Sequence, residues 1–250
     1  MPQNRPSIPL KLTHDFILEV VFELRLEMST FPEVLFGRLA DHTPWRGFHQ
    51  DPLPAYSIPA VMRQTDPNLR YQPILQLSGE AGRRSVRIGP NVVSYHRTAP
   101  YVGWTQFSAE LEELFEGVFE KTENPSVSRL GLRYINAATL ELHGIAEIGD
   151  LNLRVMVADS QIGSSVTVNY MNEHERDTQS VVRIATPDFV IGTVPASATL
   201  MIDVDVSTKI GFKATAVGAV RDWAEFAHEE EKAQFFRLLK PETIEALREK

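Results

Sequence analysis

The stretch from residue 73 to 97, PILQLSGEAGRRSVRIGPNVVSYHR, most narrows what this chain can fold into. Segments 73–78, 83–88 and 91–97 are strand-patterned, and the joints Glu80-Ala81-Gly82 and Gly89-Pro90-Asn91 are short. A crossover to a parallel neighbour needs about a dozen residues, so these strands have to form an antiparallel meander. Alternation puts Leu75, Leu77, Val86, Ile88, Val93 and Tyr95 on one face. Gln76, Ser78, Arg83, Ser85, Arg87, Ser94 and His96 then share the other. The next segment, 105–121, aligns Phe107, Leu111, Leu114, Phe115, Val118 and Phe119 on one helical stripe, predicting a helix that lies on the apolar face. Asn124-Pro125 ends it, because proline cannot continue the hydrogen-bond ladder.

The rest of the chain extends this unit. Residues 16–28, FILEVVFELRLEM, alternate with period two and predict a strand with one wet face; a short helix over 30–39 follows. Residues 42–72 hold five prolines with Trp45, Phe48 and Tyr56, and read as a long irregular connection. After residue 125 the order recurs: strand 128–140, an irregular stretch with a short strand LNLRVMV, strands 164–171, 179–185 and 198–206, and a long helix from 215 to 239. The expected fold is α+β, with two pseudo-repeated halves, 1–124 and 125–250, forming one compact unit. Each half is an antiparallel sheet covered by one long helix. At fold level this order also resembles the subunit of SecB-like export chaperones and, in tandem, the saddle of TATA-binding proteins. With neither β-turn-helix alternation nor a glycine-rich phosphate loop, a doubly wound nucleotide fold is ruled against.

Composition removes several function classes. No segment approaches the roughly 18 consecutive apolar residues of a membrane span, and the first 17 residues lack the apolar core of a secretion signal. The chain has no cysteine, which excludes disulfides, thiolate catalysis and cysteine-bound metal, and fits a cytoplasmic protein. A net charge of −8 speaks against wholesale nucleic-acid binding. Residues 46–97 nevertheless carry seven arginines against Asp51, Asp66 and Glu80, a local balance of +4.

Four stretches together resemble a sporadically distributed family of bacterial and archaeal proteins of about this length. They are HDFILEVVFELRLE (14–27), VRIGPNVVSYHRTAPYVGWTQF (86–107), RLGLRYIN (129–136) and AHEEEKAQFFRLLKPETIEAL (227–247). Family members have no established activity and offer no catalytic residues to transfer. Their scattered distribution implies a mobile or defence-linked bacterial locus.

The candidate binding set is Arg83, Ser85, Arg87, Ser94 and His96 on the polar meander face, with Trp45 and Arg46 from the proline-rich connection. Arginine offers paired donors to a phosphate or to acidic protein groups; the competing account is a solvated face whose arginines pair with the protein's own carboxylates. Asp203 and Asp205 share a strand face and could hold a cation, but without a third ligand an outer face paired with Arg183 fits better. Tyr101, Trp104 and Phe107 read as packing, His228 as an exposed turn beside Lys232, and His174 as a hairpin tip. Glu230 interrupts an apolar stripe and calls for a partner such as Arg129 or Arg133. No nucleophile elbow or zinc-type histidine spacing occurs, so neither cofactor nor metal is expected.

Two readings of function follow. The favoured one is a non-catalytic binding or regulatory protein acting through a protein partner or a second copy of itself, away from membranes. Its homodimer would form because a basic first half can meet a more acidic second half. The alternative is an enzyme or receptor for a phosphate-bearing small molecule or nucleic acid, using Arg83, Arg87, His96, Asp203 and Asp205.

Overall fold

The computed structural model describes residues 8, 9 and 11–249. The reading of the first 17 residues thus falls in part, at 1–7 and 10, outside the described residues. The elements run β1 (Ile17–Glu27), α1 (Pro32–Ala40), β2 (His49–Pro52), α2 (Ala60–Thr65), β3 (Leu75–Gly79), β4 (Arg84–Gly89), β5 (Val92–Thr98) and α3 (Trp104–Lys121). Then come β6 (Ser126–Thr139), α4 (Leu140–His143), the two-residue β7 (Met156–Val157) and β8 (Ser160–Gln161), β9 (Thr167–His174), β10 (Thr178–Ala185), β11 (Ala198–Thr208), α5 (Val217–Leu238) and α6 (Pro241–Leu247). No helix among the described residues is long and apolar enough to cross a membrane.

The fold is α+β, built on one large antiparallel sheet. Nine strands lie in the order β2-β3-β4-β5-β1-β6-β11-β10-β9, and β7 pairs only with β8. Every ladder in the large sheet is antiparallel, as the short connections require. β1 and β6 form the centre, joined along most of their length from Ile17↔Asn136 to Glu27↔Ser126.

One hydrophobic core lies between the sheet and its helices. Phe22, Leu24, Val86, Ile88, Tyr95, Leu130, Leu132, Val204 and Val206 point to it from the strands and are buried. Phe107, Leu111, Leu114, Phe115 and Val118 of α3 meet them, as the stripe in the sequence requires. Phe22 sits where the two long helices approach, with its ring 5.0 Å from Phe115 and 6.1 Å from Trp223 of α5. A buried polar network ties α3 to the meander: Arg84 Nε donates to Tyr95 Oη at 2.7 Å, and Tyr95 Oη donates to Glu110 at 2.7 Å. Burial together with the Glu110 carboxylate pushes the Tyr95 hydroxyl well above the ordinary phenol range.

The connection 42–72 differs from its irregular reading, for it contains the edge strand β2, helix α2 and short 3-10 turns at 43–45 and 54–57. β2 pairs on one side only, with β3, so its HQDP sequence needs no buried alternation.

Candidate functional site

Helices α3 and α5 cover one face of the sheet, and the alternation of each strand decides what the other face carries. Gln76 pairs across to Arg87, Arg87 to Ser94, Ser94 to Glu23, and Glu23 to Gly131, with Ser85 opposite His96 and His96 opposite Val21. The structure therefore brings Ser85, Arg87, Ser94 and His96 together. Arg83 lies in the turn before β4, where its Nε donates to the Glu80 carbonyl at 3.2 Å. Arg46 is exposed and donates to the Asp41 carbonyl at 3.0 Å. Trp45 is fully buried on the helix side, against Leu39 and Gly117, with its ring 3.1 Å from where a Cβ on Gly117 would stand.

The open face also carries residues the binding set omitted: Glu19, Glu23 and Arg25 of β1, Arg129 and Arg133 of β6, Asp203 and Asp205 of β11, and Arg183 of β10. The same period-two alternation marks all of them. Which strands lie side by side, and hence which charges meet, depends on long-range pairing that local pattern does not encode.

Nearly every charge there has a counterpart. Arg133 grips Asp203 with two hydrogen bonds of 2.8 and 2.7 Å, and Arg183 stands 3.6 Å from the same carboxylate. Arg129 donates to Glu23 at 2.7 Å and lies 3.6 Å from Asp205. Arg25 also reaches Glu23, at 2.8 Å, while its guanidinium stacks 4.4 Å from the Tyr71 ring centre. Arg87 Nε donates to the Gln76 amide oxygen at 2.7 Å. Burial alone would raise the Glu19 carboxyl, but the His96 hydrogen bond and the charges of Arg87 and Arg133 outweigh it and hold the group below its usual value. Asp205 goes the other way, raised by burial against the pull of Arg129 and Arg133. The positive excess in residues 46–97 is likewise reduced in space by carboxylates from α3: Arg84 meets Glu113 at 2.8 Å, and Arg97 stands 3.8 Å from Glu110.

Segments of chain wall this face at two ends. Pro67, Asn68 and Tyr71 flank a hollow of ≈ 530 Å³ over Glu19, Arg87, Ser94 and His96. Phe189, Ile191 and Pro195 flank a second of ≈ 840 Å³ over Ile135, Arg183, Met201 and Asp203. Both hollows touch Glu19, Arg133 and Ile135, so they adjoin as one groove across the centre of the sheet.

Within the groove, Ser94 Oγ is 2.9 Å from His96 Nε2, and His96 Nδ1 is 2.7 Å from Glu19. Burial holds the imidazole pKa down, so a neutral ring donates Nδ1–H to the Glu19 carboxylate and accepts the Ser94 hydroxyl at Nε2. This is the connectivity of a serine nucleophile, its base and an orienting carboxylate. Acyl transfer also needs a pair of donors at the developing oxyanion. β5 is paired on both sides, to β1 and β4, so its backbone N–H groups are engaged in the ladders. The same trio recurs elsewhere, where His174 joins Ser180 at 2.8 Å and Glu230 at 3.0 Å, with Ser180 fully buried. In both places the contacts tie neighbouring elements together, β5 to β1 and β9 to β10 and α5. Among the described residues no group of three or more acidic or histidine side chains could hold a metal ion, and Asp203 and Asp205 face arginines.

A separate hollow of ≈ 580 Å³ opens on the helix side. Tyr101 and Tyr134 hydroxyls are 3.1 Å apart, Tyr134 Oη is 3.3 Å from His228 Nδ1, and the His228 ring stacks on Trp104 at 4.0 Å. Burial pushes the His228 pKa down to about 4, so a neutral ring can accept a hydrogen bond from the Tyr134 hydroxyl. His228 is therefore not an exposed turn residue, and Tyr101 and Trp104 line a cavity as well as packing. The carboxylate that interrupts the α5 stripe is Glu231, while Glu230 reaches His174 and not Arg129 or Arg133. Spacing from Trp223 through Ala227 to Glu231 and Phe235, four residues each, was the signal for this phase. No protein-family model matches the chain, and no curated protein matches it.

Proposed function

We propose that the protein is a binding module and that a protein partner seats in the groove of the uncovered sheet face. One observation carries this reading: the groove floor is a lattice of arginines and carboxylates already matched to one another. A phosphate or nucleic-acid backbone would have to displace those carboxylates from part-exposed guanidiniums whose pairing is already made, so the new contact returns little. A polypeptide of mixed charge can extend the lattice at its rim while covering apolar groups there. Phe189 and Ile191 at one wall, with Met171 on the neighbouring strand, are all more than half exposed.

We further infer that the sheet is made of two related halves, 1–124 and 125–250. In each, the first strand pairs with the last of its own meander, β1 with β5 and β6 with β11, and a long helix follows. On this reading the groove straddles the join, with Glu19 from one half beside Arg133 from the other. The resemblance to a family spread sporadically among bacteria and archaea supports a partner encoded in a mobile or defence-linked locus.

The test is photo-crosslinking in the native host with benzoylphenylalanine in place of Ile191, and in place of exposed Glu116 on α3 as a control. The expected result is one adduct of defined mass from position 191, none from 116, and loss of the adduct when Arg133→Glu is added. An adduct of twice the chain mass identifies the partner as a second copy. Adducts from position 116 alone, or from neither position, overturn the reading.

A further inference from the structure

The hollow on the helix side lies across the sheet from the groove and is chemically unlike it. β6 contributes Tyr134 and Asn136, α5 contributes His228, Glu231 and Phe235, the turn before α3 contributes Tyr101, and α3 contributes its first residue, Trp104. Residues 11–13 close one side, pinned to the C-terminal segment by Thr13 N to Leu247 O at 2.8 Å and by Lys11 Nζ to Glu249 at 3.2 Å. Its volume of ≈ 580 Å³ is in the range of small-ligand sites. Aromatic rings dominate the walls.

Glu231 is the group that needs explaining. It is 4% exposed, it lines this hollow, and it makes no hydrogen bond or ion pair among the described residues. A carboxyl removed from water and given nothing in return costs several kcal/mol by general estimate. The carboxyl of Asp15, also on the wall, is raised by burial, which Lys11 only partly offsets. Of the cations at the hollow, Lys11 is engaged by Glu249, and Lys232 is Glu231's immediate neighbour on α5. The faces of electron-rich rings attract organic cations, and a buried carboxylate among them supplies the counter-charge.

We propose that this hollow binds a small organic cation, an ammonium group carried on an apolar body, with Glu231 as its counter-ion and the rings of Tyr101, Trp104, Tyr134 and Phe235 around it. The apolar body lies against Phe16, Phe235 and Phe236, and the ammonium faces Glu231 and Asp15. Asp15, Glu229 and Glu231 line the hollow against Lys11, already engaged by Glu249, and Lys232, so an anionic ligand would meet an excess of carboxyls, and a neutral ligand would bring Glu231 no counter-charge. The empty site holds Glu231 uncharged at neutral pH, because burial pushes its carboxyl up to about 8 and Lys232 lowers it only in part. Since His228 is already neutral and the phenols of Tyr101 and Tyr134 are raised by burial, Glu231 is the group that gives up a proton when the cation enters.

Calorimetric titration of the full chain at pH 7 tests this with phenethylammonium and benzyltrimethylammonium, against neutral 2-phenylethanol and anionic phenylacetate. The expected result is one site for a cation, at least tenfold tighter than either the alcohol or the anion. Close to one proton should be released, read from the dependence of the heat on buffer ionisation enthalpy. Glu231→Gln, which keeps the shape and removes the charge, should weaken the cation at least tenfold and abolish the proton release. Trp104→Leu should weaken the cations more than the alcohol. The proposal is overturned if the alcohol binds as tightly as the cations, if the Gln variant binds them unchanged, or if the folded chain binds neither cation.

Discussion

Replacing Glu231 by Gln should make the protein more stable, and by an amount that grows with pH. In the folded chain burial raises this carboxyl from its ordinary 4.5 to about 8. The folded state therefore holds a proton that the unfolded state releases, and stability falls as pH rises between those two values. At roughly 1.4 kcal/mol per pH unit, the full interval corresponds to on the order of 5 kcal/mol. Below about 4.5 both states carry the proton, and Gln and neutral Glu should differ little. The interval from pH 5 to 8 then opens a difference on the order of 4 kcal/mol, which stays level above about 8. The histidines work in the opposite sense but lower down. His228 falls to about 4, and His96 and His174 are also lowered by burial, so their contributions rise with pH and are complete near the ordinary 6.5. Above 6.5 the histidine contributions are complete and that of Glu231 is still being lost, so wild-type stability should decline from there toward 8. Urea unfolding followed by tryptophan fluorescence at whole pH units from 5 to 9, on wild type and Glu231→Gln, measures both curves. Parallel curves, or a variant less stable than wild type at pH 8, would refute the claim that Glu231 is buried without a partner.

Two further outcomes can be read directly. Phe22→Ala removes a fully buried ring at the meeting of α3, α5 and the central strand, and should cost about 3–5 kcal/mol in chemical denaturation; a cost below about 1 kcal/mol would mean that the helices do not close over β1 as described. Ser94 should resist a fluorophosphonate probe, because the ladders on both sides of β5 engage its backbone N–H groups, while Ser94→Ala should cost about 1–2 kcal/mol by leaving His96 Nε2 without its partner; labelling at Ser94 would show the Ser94–His96–Glu19 trio to be catalytic.

The elements that local pattern encodes were legible in the sequence. The meander 73–97 and the stripe of α3 depend on neighbours within a few residues, and the structure places them as alternation requires. What depends on distant partners was not legible. Arg84 and Arg97 look like part of a basic region until Glu113 and Glu110 arrive from α3. Glu19 and His96 are hydrogen-bonded across 77 positions, and only the pairing of β1 with β5 brings them together. Trp45 looks like a surface aromatic among prolines, yet its cavity is built by Leu39 and Gly117. Glu231 was missed for a different reason: in HEEEK three carboxylates follow one another, and a stripe read one position out of phase assigns the buried role to the wrong one.

The two sites share their scaffold at the level of single residues. Along β6, Arg133 and Ile135 face the groove while Tyr134 and Asn136 face the aromatic hollow, so strict alternation on one strand serves both. β1 achieves the same end by breaking alternation. A register shift lies between Ile17 and Glu19, and around it Ile17 lines the hollow while Leu18 and Glu19 line the groove. Such an irregularity re-aims side chains that a regular strand would send to the wrong face. Both strands are paired on either side, β1 by β5 and β6, and β6 by β1 and β11. That interior position holds both sets of side chains on a backbone with few ways to move. Sites separated by a rigid layer without a second arrangement have no means of biasing one another, so occupancy of the hollow should leave the groove's affinity unchanged.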